Sequence, residues 1–232
     1  MKKIAIIGAM DLEVQTLKDN MTDVKITTRA RMDFVEGKLN GVDVVVVKCG
    51  IGKVNAAMCV QILADMFNVT HIINTGIAGS LQAQIDIGDI VISTDAVHHD
   101  MDVRVFGYQL GEVPQMGRLG FEADEDMRNK AKASCEKVNP DIKVFSGRVV
   151  SGDQFISSKE VKENLIKNFN GFCTEMEGAS IAHVSFLNNL PFVIIRAISD
   201  KADDSAEMDY PTFEKKAAEH CAALILDMVG SI

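Results

Sequence analysis

The chain has 232 residues, of which 47% are apolar and only four are prolines, and its formal net charge at neutral pH is −9. This length and apolar content fit a single α/β domain with a sizeable core, spanning residues 1–232. The negative charge, which no basic cluster offsets, argues against a nucleic-acid partner, because phosphate binding depends on Lys and Arg. No apolar run approaches the ~18 residues of a membrane span. The expected partners are therefore small molecules or a second copy of the chain.

The cysteines and the N-terminal segment both indicate the cellular compartment in which the protein is expected. An apolar run, Ile4–Met10, follows two lysines, but it is barely long enough for the core of a signal peptide, and the acids Asp11 and Glu13 follow at once. The five cysteines are odd in number, far apart and never spaced as C-x-x-C, a pattern typical of reduced thiols. They are Cys49, Cys59, Cys135, Cys173 and Cys221. We expect a cytoplasmic protein that opens with a buried strand.

Short apolar runs along the chain predict the strands. They are Ile4–Ile7, Val44–Val47, His71–Asn74, Ile90–Ile92, Val144–Val150, Phe172–Thr174 and Phe192–Ile198. Continuous β-branched runs indicate strands that are buried on both faces of a mixed or parallel sheet. The Asn40-Gly41 pair between two strand-like runs predicts a hairpin, so at least one antiparallel pair belongs to the sheet.

Helical periodicity appears between these runs. Apolar residues recur at helical spacing over Lys53–Phe67, Glu177–Leu187 and Phe213–Val229. Strands that alternate with such helices predict a three-layer α/β single domain with a mixed central sheet.

Several familiar motifs are incomplete. Gly50-Ile51-Gly52-Lys53 looks like the end of a phosphate loop, but Val47 stands where its first glycine should be and Val54 replaces the Ser or Thr. The segment Thr75–Gly79 lacks the three glycines of a dinucleotide fingerprint. His98-His99-Asp100 has no second cluster to complete a metal site. We expect neither a bound metal nor a cofactor.

Acidic residues follow three of the predicted strands. Glu13 comes after the first strand, Glu175-Met176-Glu177 lies where a strand becomes a helix, and Ser199-Asp200 ends the last strand. Taken singly, each acid could be a helix cap or a first-turn carboxylate favoured by the helix dipole. Three acids at strand ends also fit a ligand site, since α/β sheets bind ligands there. The residues alone do not name the substrate.

A family resemblance narrows the choice. The segments that carry it are Ile7–Met10 with Glu13-Val14, Gly50–Val54, Asn74–Gly79, Val150–Ile156, Glu175–Glu177 and Arg196–Asp200. In this order they resemble bacterial 5′-methylthioadenosine/S-adenosylhomocysteine nucleosidases over essentially the whole chain. The resemblance implies a nucleoside phosphorylase-like fold and a homodimer with sites near the subunit interface. It also implies hydrolysis of the N-glycosidic bond of these nucleosides, and of 5′-deoxyadenosine, in methionine salvage and the activated methyl cycle.

The resemblance also assigns roles in the chemistry. It implies that Glu13 is the general base for water, that Asp200 protonates N7 of adenine, and that Glu177 binds the ribose hydroxyls. Met176 is expected beneath the sugar, and Arg196 is expected to orient the water and the acids. An unperturbed Asp, with a pKa of ~3.9, is almost fully ionised at neutral pH. We therefore expect Asp200 to be buried or to gain its proton once adenine is bound.

Further residues are implied to hold the substrate. Phe155 is expected to stack on adenine and the backbone of Ile156 to read its edge, with Ser199 and Gly79 nearby. The 5′ tail is expected among Met10, Ile51 and Tyr210, with Val103, Phe106 and Pro114 of a partner subunit. Two positions depart from the family pattern: Ile77 replaces a common Ser near the ribose, and Tyr210 replaces a common Phe.

Three other functions are weighed against this one. A purine nucleoside phosphorylase of the same fold needs cations for phosphate, and Glu13 and Asn74 stand where such relatives carry Arg. A hydrolase of modified futalosine would share the acids. A non-catalytic nucleoside-binding protein would be expected to lack one of the three acids, and all three are present.

Overall fold

The computed structural model describes residues 2–203 and 205–232, apart from the side chain of Met208, so Met1 of the N-terminal segment lies outside the described residues. The strands are β1 (Ile4–Gly8), β2 (Thr22–Arg29), β3 (Met32–Leu39), β4 (Val42–Lys48), β5 (His71–Ser80), β6 (Ile90–His98), β7 (Phe121–Glu122), β8 (Val144–Ser151), β9 (Cys173–Glu175) and β10 (Phe192–Asp200). The helices are α1 (Asp11–Asp19), α2 (Lys53–Phe67), α3 (Glu125–Val138), α4 (Lys159–Phe169), α5 (Gly178–Leu187) and α6 (Ala206–Met228).

The strands form one mixed sheet, as the sequence predicts. Strand β1 lies between β4 and β5, and both pairings are parallel. Strand β10 pairs parallel with β5, so the carboxyl ends of β1, β5 and β10 meet at one edge. The predicted hairpin joins β3 to β4, with Asn40 and Gly41 both at positive φ, as its tight turn requires.

Part of the sheet curls into a closed ring. Strand β10 pairs with β5 on one side and antiparallel with β6 on the other. The path continues from β6 through β8 to the short strand β9, which pairs back onto β5. The closure brings the end of β9 beside the ends of β5 and β10.

Helices cover both faces of the sheet, which confirms the three-layer α/β prediction. On one face α6 packs against α1 and α3, and on the other α2 packs against α5. The strands between them are buried, and β1, for example, reads Ile-Ala-Ile-Ile-Gly with every residue buried. All five cysteines are buried and free. No helix in the part of the chain that the structure describes combines the length and apolar character of a membrane span.

Some elements are longer than the sequence predicts, and others were not predicted. Helix α2 has the predicted bounds, whereas α6 begins at Ala206 and carries Pro211 inside it. The predicted helix, Phe213–Val229, leaves out the first turns of α6, where Pro211 lies at a position that is less unfavourable for proline than the helix interior. Strand β5 continues through Gly76 to Ser80, although glycines such as Gly76 and Gly79 are more typical of turns than of strands. Helices α1, α3 and α4 and strands β2 and β7 were not predicted.

Candidate active site

A cavity of about 450 Å³ opens at the edge where β1, β5, β9 and β10 end. Most of the residues predicted for the site line it. They are Met10, Glu13, Ile51, Ile77, Gly79, Phe155, Met176, Glu177, Ser199, Asp200 and Tyr210, joined by Ala9, Ala78, Thr174 and Glu175, which were not predicted. A cavity of this volume is the size of a small-molecule site.

The remaining predicted residues lie elsewhere. Ile156 lines a small recess that shares Phe155, Met176 and Asp200 with the cavity. Arg196 is 1% exposed and lies behind the lining, in contact with the acids. The structure places Val103, Phe106 and Pro114 outside the cavity lining of this single chain, and Phe106 is 77% exposed in a short 3-10 helix.

Glu13 is held at the start of α1 by backbone amides. Its Oε2 accepts hydrogen bonds from the N–H groups of Ala9 at 2.6 Å and Met10 at 2.9 Å. Its Oε1 accepts one from the N–H of Ile77 on β5 at 3.1 Å. Burial raises the pKa of Glu13, while Arg196 and these three amides lower it. A buried carboxylate that is more basic than usual and fixed in place is suited to act as a general base.

Arg196 lies at the centre of three carboxylates. Its Nη2 makes a short contact with Oε2 of Glu175 and donates to Oδ1 of Asn74 at 2.7 Å. The same nitrogen is 3.6 Å from Oε2 of Glu177, and Nη1 is 4.0 Å from Oε1 of Glu13. Burial by itself lowers the pKa of Arg196, but the three acids raise it above its ordinary value. The cluster therefore contains one permanent cation and three acids.

Glu177 is anchored by the glycine turn that resembles a phosphate loop. The N–H of Gly52 donates to Oε1 of Glu177 at 2.8 Å, and Gly52 has a φ of +95°, which favours glycine. Burial, and then the charge of Glu175, raise the pKa of Glu177 to about 7. The turn thus serves to hold a carboxylate and not a phosphate.

Asp200 ends β10 with its carboxyl group in the cavity wall. Oδ1 accepts from the N–H of Ala202 at 2.8 Å, and Oδ2 accepts from Oγ of Ser199 at 2.9 Å. Burial raises its pKa, against the lowering effect of these two bonds. A Cβ on Gly79 would lie 2.8 Å from Oδ1 of Asp200, so glycine is needed there. The raised pKa favours the protonated form that a general acid requires.

The mouth of the cavity is apolar and aromatic. The rings of Phe155 and Tyr210 meet edge to face with centroids 5.7 Å apart. The phenol of Tyr210 donates to Sδ of Met10 at 3.4 Å. Ile51 and Phe155 are about half exposed. This part of the cavity suits a flat ring and an apolar substituent, with one hydroxyl within reach.

Sequence reasoning missed the residues that support the acids. Glu175 was noted only as part of a motif, yet it is the main partner of Arg196. Asn74 and Ser151 are fully buried polar residues that bond to Arg196 and Glu175 respectively. A polar side chain at the end of an apolar strand run was the available signal for Asn74 and Ser151, because buried polar groups need partners.

Comparisons with known proteins place the chain in a family. Residues 3–230 match the model of the phosphorylase superfamily. The 5′-methylthioadenosine/S-adenosylhomocysteine nucleosidase of Geobacillus sp. strain WCH70 is 42% identical over 231 residues, which cover 99% of each chain.

Two solved structures extend the likeness to the fold. The enzyme of the same name from Neisseria meningitidis, in complex with methylthio-immucillin-A, superposes with a TM-score of 0.96 at 39% identity and full coverage of both chains. The futalosine hydrolase of Helicobacter pylori strain 26695 superposes with a TM-score of 0.94 at 32% identity, covering 100% of this chain and 98% of its own.

Proposed function

The chain belongs to the phosphorylase superfamily and, within it, to the 5′-methylthioadenosine/S-adenosylhomocysteine nucleosidases, and from this membership we propose how its residues divide the work. It is a hydrolase that cleaves the N-glycosidic bond of these two nucleosides, a role that fits methionine salvage. Its five buried, free cysteines are consistent with a cytoplasmic location.

The observation that carries this function is the composition of the cavity wall. Glu13, Glu177 and Asp200 all line it, and among the described lining residues none is Lys or Arg. Arg196, the cation behind this lining, is engaged by Glu175 and Asn74. A phosphate ion would meet carboxylates here, so water is the favoured acceptor of the ribosyl group.

The reaction needs help at both ends of the bond that breaks. Adenine is a poor leaving group as an anion, and in our proposal Asp200 protonates it at N7, since burial raises the pKa of this acid. Glu13 takes the proton from the attacking water, and Glu177 accepts hydrogen bonds from the ribose hydroxyls. Positive charge that develops on the sugar is stabilised by these carboxylates, which are already oriented. Arg196 orients Glu13 and Glu177 from behind.

In this proposal adenine and the 5′ substituent of the nucleoside occupy the two sides of the cavity. Phe155 stacks on adenine, and Met176 lies beneath the sugar. The 5′ substituent lies against Met10, Ile51 and Tyr210.

We assign a homodimer whose partner completes the tail pocket. Val105 and Phe106 are 85% and 77% exposed, an unusual exposure for large apolar side chains next to one another. In the dimer Phe106, with Val103 and Pro114, covers the tail pocket of the other subunit.

Adenine release from a panel of nucleosides tests the function. Methylthioadenosine, S-adenosylhomocysteine, 5′-deoxyadenosine and modified futalosine that carries adenine are compared with and without phosphate, the last because of the likeness to a futalosine hydrolase. We expect methylthioadenosine to be cleaved at the same rate in both buffers, yielding free methylthioribose. A ribose 1-phosphate product, or cleavage confined to modified futalosine, would contradict the proposal.

Two variants test the assigned roles. Glu13→Gln and Asp200→Asn each remove one proton-transfer group while keeping the shape of the side chain, so we expect turnover to fall at least ~10²-fold. Thermal melting of the same samples separates loss of chemistry from loss of fold.

A further inference from the structure

We propose that Glu175, held by Ser151, is a positioning residue: it engages the Arg196 guanidinium and the first amides of α5 so that Glu13 and Glu177 keep oxygens free for water and ribose. This inference rests on the proposed function of the cavity.

The two oxygens of Glu175 are fully occupied by protein donors. Oε1 accepts from Oγ of Ser151, through a short contact, and from the N–H of Gly178 at 3.0 Å. Oε2 accepts from Nη2 of Arg196, also through a short contact, and from the N–H groups of Glu177 at 3.1 Å and Gly178 at 2.8 Å. A carboxylate with this many donors has little capacity left for substrate, which distinguishes Glu175 from the catalytic acids.

Glu13 and Glu177 stand further from the same cation. The nearest guanidinium nitrogen is 4.0 Å from Glu13 and 3.6 Å from Glu177, distances beyond a good hydrogen bond. Without the carboxylate of Glu175, the guanidinium would turn to these two acids. It would then occupy the oxygens that serve water at Glu13 and the ribose hydroxyls at Glu177, and it would make both groups less basic.

Ser151 fixes Glu175 in turn. It ends β8 directly opposite Glu175 in the parallel pairing with β9. Its hydroxyl donates to Glu175 and accepts from the N–H of Ala179 at 2.7 Å, so it ties the carboxylate to the first turn of α5. The end of β8 therefore helps to set the position of Glu177, which immediately precedes that helix.

The charges around Glu177 make its pKa depend on Glu175, and this dependence can be measured. Among the described residues, the ionisable groups that act on it are Glu175 on β9, Arg196 on β10, Glu13 on α1 and the thiol of Cys49 after β4. After burial, the charge of Glu175 is the largest cause that raises the pKa of Glu177, and Arg196 lowers it. Removing the charge of Glu175 lowers the pKa of Glu177 directly and also leaves Arg196 free to lower it further.

The variant Glu175→Gln tests the proposal, with kcat, KM and the pH profile measured on methylthioadenosine. We expect kcat to fall at least ~10-fold, the scale of one lost charged hydrogen bond, with little change in KM. The acidic limb of the kcat/KM profile should move about one unit toward lower pH. Glu175→Asp keeps the charge and should leave that limb where it is.

The variant Ser151→Ala is a second test of the proposal, which remains informative even when Glu175→Gln does not fold. Its matched control is Ser185→Ala, because Ser185 is also fully buried and its hydroxyl has no hydrogen-bond partner among the described residues. We expect Ser151→Ala to lower kcat about tenfold, and Ser185→Ala to retain wild-type kcat and pH profile.

Three results would overturn the inference. The first is full activity of Glu175→Gln, the second is a loss of its activity that is equal at every pH with the acidic limb unmoved, and the third is a Ser151→Ala variant that matches Ser185→Ala. Wild-type protein that releases no adenine from methylthioadenosine would instead overturn the proposed function, and this inference with it.

Discussion

Gly76 lies against both the general base Glu13 and the buried Arg196. It pairs with Arg196 across β5 and β10. A Cβ built on Gly76 would overlap Nη1 of Arg196 and Oε1 of Glu13, and it would lie 2.9 Å from Cδ of Glu13. The substitution Gly76→Ala therefore inserts a methyl group between the two charged side chains without removing any polar atom.

The size of the effect follows from the overlap. Ordinary van der Waals contact begins at 3.4 Å, so both side chains must move, by about 1 Å, and a displacement of that size costs about 10²-fold in rate. Overpacking a buried site also costs ~1–3 kcal/mol of the free energy of unfolding. We therefore expect kcat/KM to fall about 10²-fold, with a melting temperature lower by roughly 2–12 °C.

The assay compares Gly76→Ala with Gly230→Ala. Gly230 has no atom within 4 Å of its would-be Cβ, so the control adds the same methyl group without an overlap. Adenine release from methylthioadenosine is measured for both variants well below their melting temperatures. If Gly76→Ala retained the kcat/KM of Gly230→Ala, Glu13 and Arg196 would have to tolerate displacement, and the argument for a fixed base would be refuted.

Three further outcomes are expected. Burial and Glu175 raise the pKa of Glu177 to about 7, and Glu177 must be ionised to accept hydrogen bonds from the ribose hydroxyls. We therefore expect kcat/KM to fall as the pH drops below neutrality, and a flat profile down to pH ~5 would contradict this. Tyr210→Phe removes the hydroxyl beside Met10 and should lower kcat/KM for S-adenosylhomocysteine, whose tail is polar, more than for methylthioadenosine; equal effects would leave the hydroxyl without a role in selection. Phe106→Asp places a charge on the exposed apolar segment, so sedimentation should show a monomer with reduced activity, whereas an active dimer would rule out this interface.

The acids of the site could be predicted from the sequence because each follows a strand that is buried along its whole length. Every residue of β1 and β10 is buried, and both strands pair in parallel with β5. Parallel strands place their carboxyl ends at one edge, so Glu13 and Asp200 had to lie near one another once the fold class was known.

The partners of those acids could not be predicted in the same way. Glu175 meets Arg196 because β9 pairs with both β5 and β8, and such a closure depends on the register of strands that are far apart in sequence. Nothing local in a three-residue strand encodes it. Likewise β5 continues past Gly76 because the glycine is required by the neighbouring side chains and not by a turn.

The reactivity of the five buried thiols reports on local and global unfolding of the chain. Burial raises the pKa of each, to about 12 for Cys49 and about 11 for Cys221. A thiol reagent reacts with the thiolate at an accessible sulfur, so in the native protein labelling proceeds only through local or global unfolding. Cys49 precedes the glycine turn that holds Glu177, whereas Cys135 lies on the distant helix α3. A bound nucleoside should therefore slow alkylation of Cys49 more than that of Cys135, which lets mass spectrometry map, residue by residue, how far stabilisation by a ligand spreads from the site.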